Sequence, residues 1–250
     1  MPAPTNGLIL FWNMETLSGA AMDDLSPTGN NGTIAGTANH ANGQVGAARG
    51  FDGVDDKITA DSRPLGPTAG SFTLTMWLKP LASGSKLPVS MDDNADHYVT
   101  FGNEVASRFS WVQSLTGGAA ATTAVLNASS TSSTGVYTHI AIRYNGHTKY
   151  LFRNSVTQAS AVQTGTFTWN SFNIGQRAGN LNPYNGDIDE LRIYNRALSL
   201  SEISDIYNDT TEYPVIATAM VDLGELTRPL RPFRRVNRWS TMRKSEFQDR

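Results

Sequence analysis

The chain has 250 residues, 17% of them charged and 9% aromatic, with a formal net charge of −2 and no cysteine. That length suits one large domain or two small ones, and the composition excludes a disulfide scaffold, thiolate chemistry and a disordered polyelectrolyte. The four histidines (His40, His97, His139, His147) stand at no zinc-ligand spacing.

Residues 1–6 carry no positive n-region and residues 8–12 are too short for an h-region, so no signal peptide is read. No apolar run reaches transmembrane length, which argues against membrane insertion. Residues 7–12 form a compact apolar run and predict the first strand. Residues 23–36, with Ser26-Pro27 and Gly29-Asn30-Asn31-Gly32, predict a loop. Short strands are expected over 45–51 and 57–60, around the turn pair Asp52-Gly53.

Residues 71–79 alternate: Phe72, Leu74, Met76 and Leu78 on one face, Thr73, Thr75, Trp77 and Lys79 on the other. Pro80 ends the run, and Trp77, flanked by apolar residues, is expected to pack. Residues 114–135, mostly Gly, Ala, Thr and Ser, read as a weak strand between long loops. Residues 136–144 alternate again, and Asn145-Gly146 signals a hairpin into 148–153. Strands over 172–174 and 188–194 complete the set. Many short strands with turn signals between them predict an all-β, antiparallel sandwich.

One helix is predicted, over 200–207. Ser199 is its N-cap, Glu202 completes a capping box, and Leu198 and Ile203 form a hydrophobic staple. Beyond Asn208 the pattern breaks. Residues 226–250 hold eight Lys/Arg and two acids, a net +6 that leaves −8 on residues 1–225. Two parts follow: a folded body over 1–208 and an extended basic C-terminal arm over 209–250.

Several motifs stand in one order. They are Gly7-Leu8-Ile9-Leu10-Phe11-Trp12, Asp24 through Asn30-Asn31-Gly32, Phe51-Asp52-Gly53-Val54-Asp55-Asp56, and Ser71-Phe72-Thr73-Leu74 with Trp77-Leu78-Lys79-Pro80. Tyr137-Thr138-His139-Ile140 and Gly186-Asp187-Ile188-Asp189-Glu190-Leu191-Arg192-Ile193-Tyr194 through Ser199 complete them. Together they resemble the laminin-G-like, concanavalin A-like lectin and glucanase jelly rolls of bacterial and viral surface proteins. The resemblance covers residues 7 to about 208 and implies a two-sheet jelly roll. The sequence departs from the family at Pro27 and at the hairpin pair Asn154-Ser155.

The resemblance also implies a structural calcium. Asp189 would give a carboxylate, and Asp24, Glu15 or backbone oxygens near Asn31 and Gly32 would complete the shell. Sugar sites join aromatic faces to fixed polar groups. Tyr98, Trp111, Trp169 and Tyr184, with Asn182, are the glycan-binding candidates, and Tyr184 is expected to be exposed.

No Glu-x-Asp-x-x-Glu triplet, nucleophile elbow or phosphate loop is present, so no enzyme is expected. In the arm, Arg228, Arg231, Arg234, Arg235 and Arg238 interleave with Phe233 and Trp239, a mixture suited to docking on a protein partner, with nucleic acid less favoured. A family that works outside cells, on a chain with no export signal, points to a bacteriophage virion protein made in the host cytoplasm and released by lysis. It would be a capsid decoration, head fibre or tail-associated protein, a homo-oligomer that touches cell-surface glycans and is anchored by its arm. The alternative is a carbohydrate-binding or accessory module acting on extracellular polysaccharide.

Overall fold

A computed structural model describes residues 2–16, 20–36, 39–65, 68–84, 86–91, 97–101, 108–113, 124–162, 167–168, 171–176 and 182–211. The chain divides into two units, Met1–Val215 and Ile216–Arg250. Of the first, the described residues are given below; the second lies outside them, as do all seven arm residues named above.

In chain order the strands are β1 (Leu8–Trp12), β2 (Ala21–Met22), β3 (Gly32–Ala35), β4 (Asn39–Asn42), β5 (Ala47–Asp52) and β6 (Lys57–Ala60). There follow β7 (Thr68–Ala69), β8 (Phe72–Pro80), β9 (Lys86–Ser90), β10 (His97–Phe101), β11 (Phe109–Gln113) and β12 (Ala124–Asn127). The last are β13 (Thr138–Tyr144), β14 (Thr148–Arg153), β15 (Val156–Val162), β16 (Phe167–Thr168), β17 (Asn173–Ile174) and β18 (Asn185–Tyr194), before helix α1 (Leu200–Tyr207).

Two antiparallel sheets face each other. The first runs β15-β14-β13-β8-β18-β5-β4, with β1 also paired to β18; the second runs β12-β11-β10-β9-β17-β6-β3-β2. The antiparallel two-sheet sandwich expected from the sequence is the architecture found. Its core is the interleaving of the two inner faces. Phe72, Leu74, Met76 and Leu78 of β8 join Ile140 and Ile142 of β13 and Ile188, Leu191 and Ile193 of β18. They meet Ile58, Val89, Phe109, Trp111 and Ile174 of the second sheet. The predicted alternation of β8 is therefore real, and Phe72 meets Trp111 edge-on at 5.9 Å.

The first sheet is buried on its outer face as well, because α1 lies on it. Leu198, Ile203 and Ile206 pack there with Ala141, Phe152 and Tyr194. Trp77 packs as expected, but on this outer face, stacked on Tyr207 at 5.4 Å. The capping box forms as read: the Glu202 N–H donates to Ser199 Oγ at 3.2 Å, and the Ser199 N–H donates to Glu202 Oε2 at 2.8 Å. The Asn154-Ser155 hairpin works without glycine, both residues taking left-handed φ values of +48° and +61°.

Two expectations are corrected by this architecture. Val136 is not part of β13, which starts at Thr138, and its side chain is 55% exposed. Asp209, assigned to the arm by the sequence, is 6% exposed and accepts the Ala3 N–H at 3.2 Å within the folded body.

Candidate functional site

Two polar centres stand out, one built on the last strand and one beside the first. The first is built on β18. Pairing between β18 and β8 shifts between Asp189 and Arg192, and Glu190, at that bulge, has φ +53°. The bulge lets consecutive acidic residues turn inward. Asp189 Oδ2 accepts the N–H groups of Gln44 (2.8 Å) and Val45 (2.9 Å), and Glu15 Oε1 accepts that of Ala47 (2.7 Å). One tight turn, closed by the Gly43 N–H to Gly46 carbonyl bond at 3.0 Å, thus feeds two carboxylates. Glycine is needed at Gly46, where φ is +60° and a Cβ would sit 2.0 Å from Glu15 Oε1.

Burial dominates the electrostatics of this centre. It pushes the Asp189 carboxyl up to about 8, with the Glu190 and Glu15 charges adding to it and the Val45 and Gln44 N–H groups opposing it. Burial likewise raises Glu190 to about 7, against the pull of Arg192. Arg192 pairs with Glu190, lies 3.6 Å from Asp209 and covers the Phe11 ring at 4.1 Å. Asp187 is 5% exposed and held by Lys79 Nζ at 3.0 Å. These acids are sealed beneath the sheet surface and offer no cleft to a polymer.

The second centre is organised by Asp24. Its carboxylate accepts the N–H groups of Phe11 (2.7 Å), Ser26 (2.9 Å) and Asn30 (2.7 Å) and the Ser26 hydroxyl (2.8 Å). Asn30 then latches Ser62: its Nδ2 donates to the Ser62 carbonyl at 2.9 Å, and its Oδ1 accepts the Ser62 N–H at 3.0 Å and hydroxyl at 2.9 Å. Over this framework lies an open polar groove of about 320 Å³ lined by Thr28, Gly29, Asn30, Asp61, Ser62, Arg63 and Pro64. A second groove of about 330 Å³ shares Asp61, Ser62 and Arg63 and extends to Ser171 and Phe172.

The residues expected around calcium fall into two separate groups. Glu15 and Asp189 come together on the Gly43–Gly46 turn. Asp189 Oδ1 is buried with no hydrogen-bond partner, an orphaned oxygen of the kind a cation would satisfy. Asp24 and Asn31 belong instead to the groove framework: Asp24 is saturated with donors, Asn31 Oδ1 accepts the Asp24 N–H at 2.9 Å and the Asn31 carbonyl accepts the Asp61 N–H at 2.9 Å. Gly32 serves the core, where a Cβ would meet the Trp12 ring at 2.7 Å and Ile58 at 2.8 Å. Glu15 and Asp189 fit a cation; Asp24, Asn31 and Gly32 do not join them.

The glycan candidates also change. Trp111 and Tyr184, expected as glycan-stacking aromatics, are 0% exposed. Trp111 lies in β11 with its ring in the core. Tyr184 packs its ring against Phe51 at 6.3 Å, which removes both as stacking platforms. Tyr98 lies in β10, opposite Val112 of β11, and Asn182 is an exposed turn residue with φ +51°. Trp169 lies outside the described residues. The groove around Asp61–Arg63 was missed because no single residue of it is unusual; Asn30 with Ser62, 32 positions apart, is a signal only once the fold joins them.

The fold has many likenesses among solved structures. The binding domain of Paraclostridial Mosquitocidal Protein 1 superposes with a TM-score of 0.67 at 16% identity, covering 82% of this chain and 52% of that one. The botulinum neurotoxin serotype D ligand binding domain, solved with N-acetylneuraminic acid, gives 0.63 at 13% identity over 81% and 51%. Domain 4 of AbnA, a GH43 extracellular arabinanase from Geobacillus stearothermophilus solved with arabinotriose, gives 0.57 at 21% identity over 80% and 98%. The chain thus spans about half of the two toxin domains and nearly all of the arabinanase domain. At these identities the likeness is one of fold. No curated protein sequence is significantly similar to the chain. Among the described residues no helix is long and apolar enough to cross a membrane. A family model matches residues 52–204, well over half of the sequence, and the chain accordingly belongs to the concanavalin A-like lectin/glucanases superfamily.

Proposed function

We propose that the chain is a non-catalytic glycan-binding module whose saccharide lies in the groove over Asp61, Ser62 and Arg63. The observation that carries this is the pre-formed polar framework: Asp24 and the Asn30–Ser62 latch fix the groove's lining before any ligand arrives, which lowers the ordering cost of binding. Hydroxyl-rich ligands are recognised by such fixed donors and acceptors. The arabinanase domain, matched over nearly its whole length, was solved with a bound oligosaccharide, and the toxin domain with a sialic acid. Binding is favoured over hydrolysis because Asp187, Asp189 and Glu190 are at most 5% exposed and engaged within the sheet.

A glycan array with the full chain, followed by calorimetry on the hits, tests this. Asp61→Ala and Arg63→Ala, at exposed positions, are expected to weaken binding at least tenfold with the melting temperature unchanged. An array without hits, or variants that bind as the parent does, would reject the groove.

Calcium belongs to the same reading as a structural ion between Glu15 and Asp189, where it would neutralise one buried and one half-buried carboxylate. The basic composition of residues 226–250 favours a module carried on a larger assembly, which we take to be a virion, with the arm as its anchor. Removing residues 212–250 is then expected to leave the folded body intact and abolish incorporation into particles; undiminished incorporation would refute the anchor.

A further inference from the structure

The Asp52–Asp56 turn and Gln176 form another group of oxygens, used neither by the groove nor by the centre at Asp189. One carboxylate oxygen from each of Asp52, Asp55 and Asp56 lies within 4.8 Å of the others. Two ligands of one calcium ion, each about 2.3–2.6 Å from it, stand up to about 5 Å apart, so three oxygens at this spacing fit one shell. Asp52 and Asp55 are exposed and Asp56 is buried. Exposed acids cluster on many proteins without an ion, and these three alone would carry nothing.

Gln176 supplies the independent observation. It is 1% exposed, and its Nε2 donates to the Asp55 carbonyl at 3.1 Å. Its Oε1, on the same carbon, is buried with no hydrogen-bond donor. The bond to Asp55 therefore holds an orphaned amide oxygen against this same turn. The neighbouring backbone confirms the approach: at Gly175, with φ +90°, a Cβ would lie 2.6 Å from the Asp56 carbonyl oxygen. A buried acceptor with no donor is costly unless something positive comes to it.

We propose that Asp52, Asp55, Asp56 and Gln176 Oε1 bind one divalent cation, and that the ion is calcium. The donors are all hard oxygens, three of them anionic, on a turn that can adjust; calcium accepts such irregular shells completed by water, whereas magnesium demands a near-ideal octahedron. The bound ion ties the β5–β6 turn to the segment after β17. This site is independent of the saccharide reading.

Calorimetric titration of the chelator-stripped full chain with calcium chloride tests it. Asp52→Asn/Asp55→Asn, at two exposed positions, is expected to lower the affinity of one binding event at least tenfold, with an unchanged melting temperature in chelator. Gln176→Leu is expected to weaken the same event, and Asp189→Asn is expected to leave it in place. Two results would overturn the site: a double variant that binds calcium as the parent does, or a parent whose calcium binding disappears entirely with Asp189→Asn. The glycan array reads neither outcome, so the two proposals fail separately.

Discussion

Arg192→Met is expected to destabilise the protein by about 3–5 kcal/mol, read as a lower urea midpoint at pH 7 with an unchanged slope. Arg192 is 2% exposed and stands between Glu190, itself 2% exposed, and Asp209, 6% exposed. Removing the guanidinium strands Glu190, already raised to about 7 by burial, and leaves Asp209 to the Ala3 and Thr211 N–H groups. The stacking on Phe11 goes as well. The cost is thus mainly the stranded charge, not the lost pair. Glu190→Gln in the Arg192→Met background is therefore expected to recover a large part of the loss. A cost below about 1 kcal/mol for Arg192→Met would show that water reaches these acids and that the pocket is not the sealed one described.

A second large effect is expected from His139 at acid pH. Its ring is fully buried between Trp77 at 5.2 Å and Tyr207 at 5.8 Å, and neither nitrogen has a hydrogen-bond partner. Burial first, and the Arg192 charge second, depress it to about 3 from an ordinary value of 6.5. The folded chain keeps this imidazole neutral while the unfolded chain protonates near 6.5. The His139 contribution is therefore complete above pH 7 and is lost as pH falls toward 3, about 2–3 kcal/mol of it by pH 4.5. Asp189 and Glu190 act in the opposite sense: raised to about 8 and about 7, they cost stability at high pH and relieve it as they protonate. The clean measurement is the difference between the parent and His139→Phe. It is expected to be flat above pH 7 and to shift by about 2–3 kcal/mol in favour of the variant by pH 4.5. A difference independent of pH would mean that His139 titrates alike folded and unfolded.

The sandwich was legible where strands obey simple alternation, as β8 and β13 do, and the helix was legible because Ser199, Glu202, Leu198 and Ile203 encode its start locally. β9 was not, because Pro88 interrupts Lys86–Ser90 and a proline usually argues against an inner strand. The structure accommodates it beside an irregularity, where the β9–β10 register shifts between Val99 and Phe101. β10 and β11 were hidden by long polar segments on either side, although His97–Phe101 and Phe109–Gln113 are rich in aromatic and β-branched residues. Without these strands Tyr98 and Trp111 stand in the sequence as glycan-binding candidates, whereas both lie in the second sheet.

The candidate sites were legible only in part, for a different reason. Asp189 and Glu15 are named by the family resemblance, yet what joins them is a turn at Gly43–Gly46 that neither residue's neighbours announce. Asp24 was noticed as an acid, but its saturation by backbone N–H groups is a property of the folded loop. Gln176 carries no signal at all in the sequence. Its meaning comes from an amide oxygen that the fold buries and leaves without a donor.

The hydrogen bond from the Ala3 amide to Asp209, 3.2 Å long, puts the entrance and exit of the folded body side by side. Tyr194 strengthens the junction by donating to the Pro4 carbonyl at 3.0 Å. A body with adjacent ends behaves like a cartridge. It can be spliced into a single surface loop of a host protein without prising that host apart, and its original ends can be joined by a short linker and reopened elsewhere.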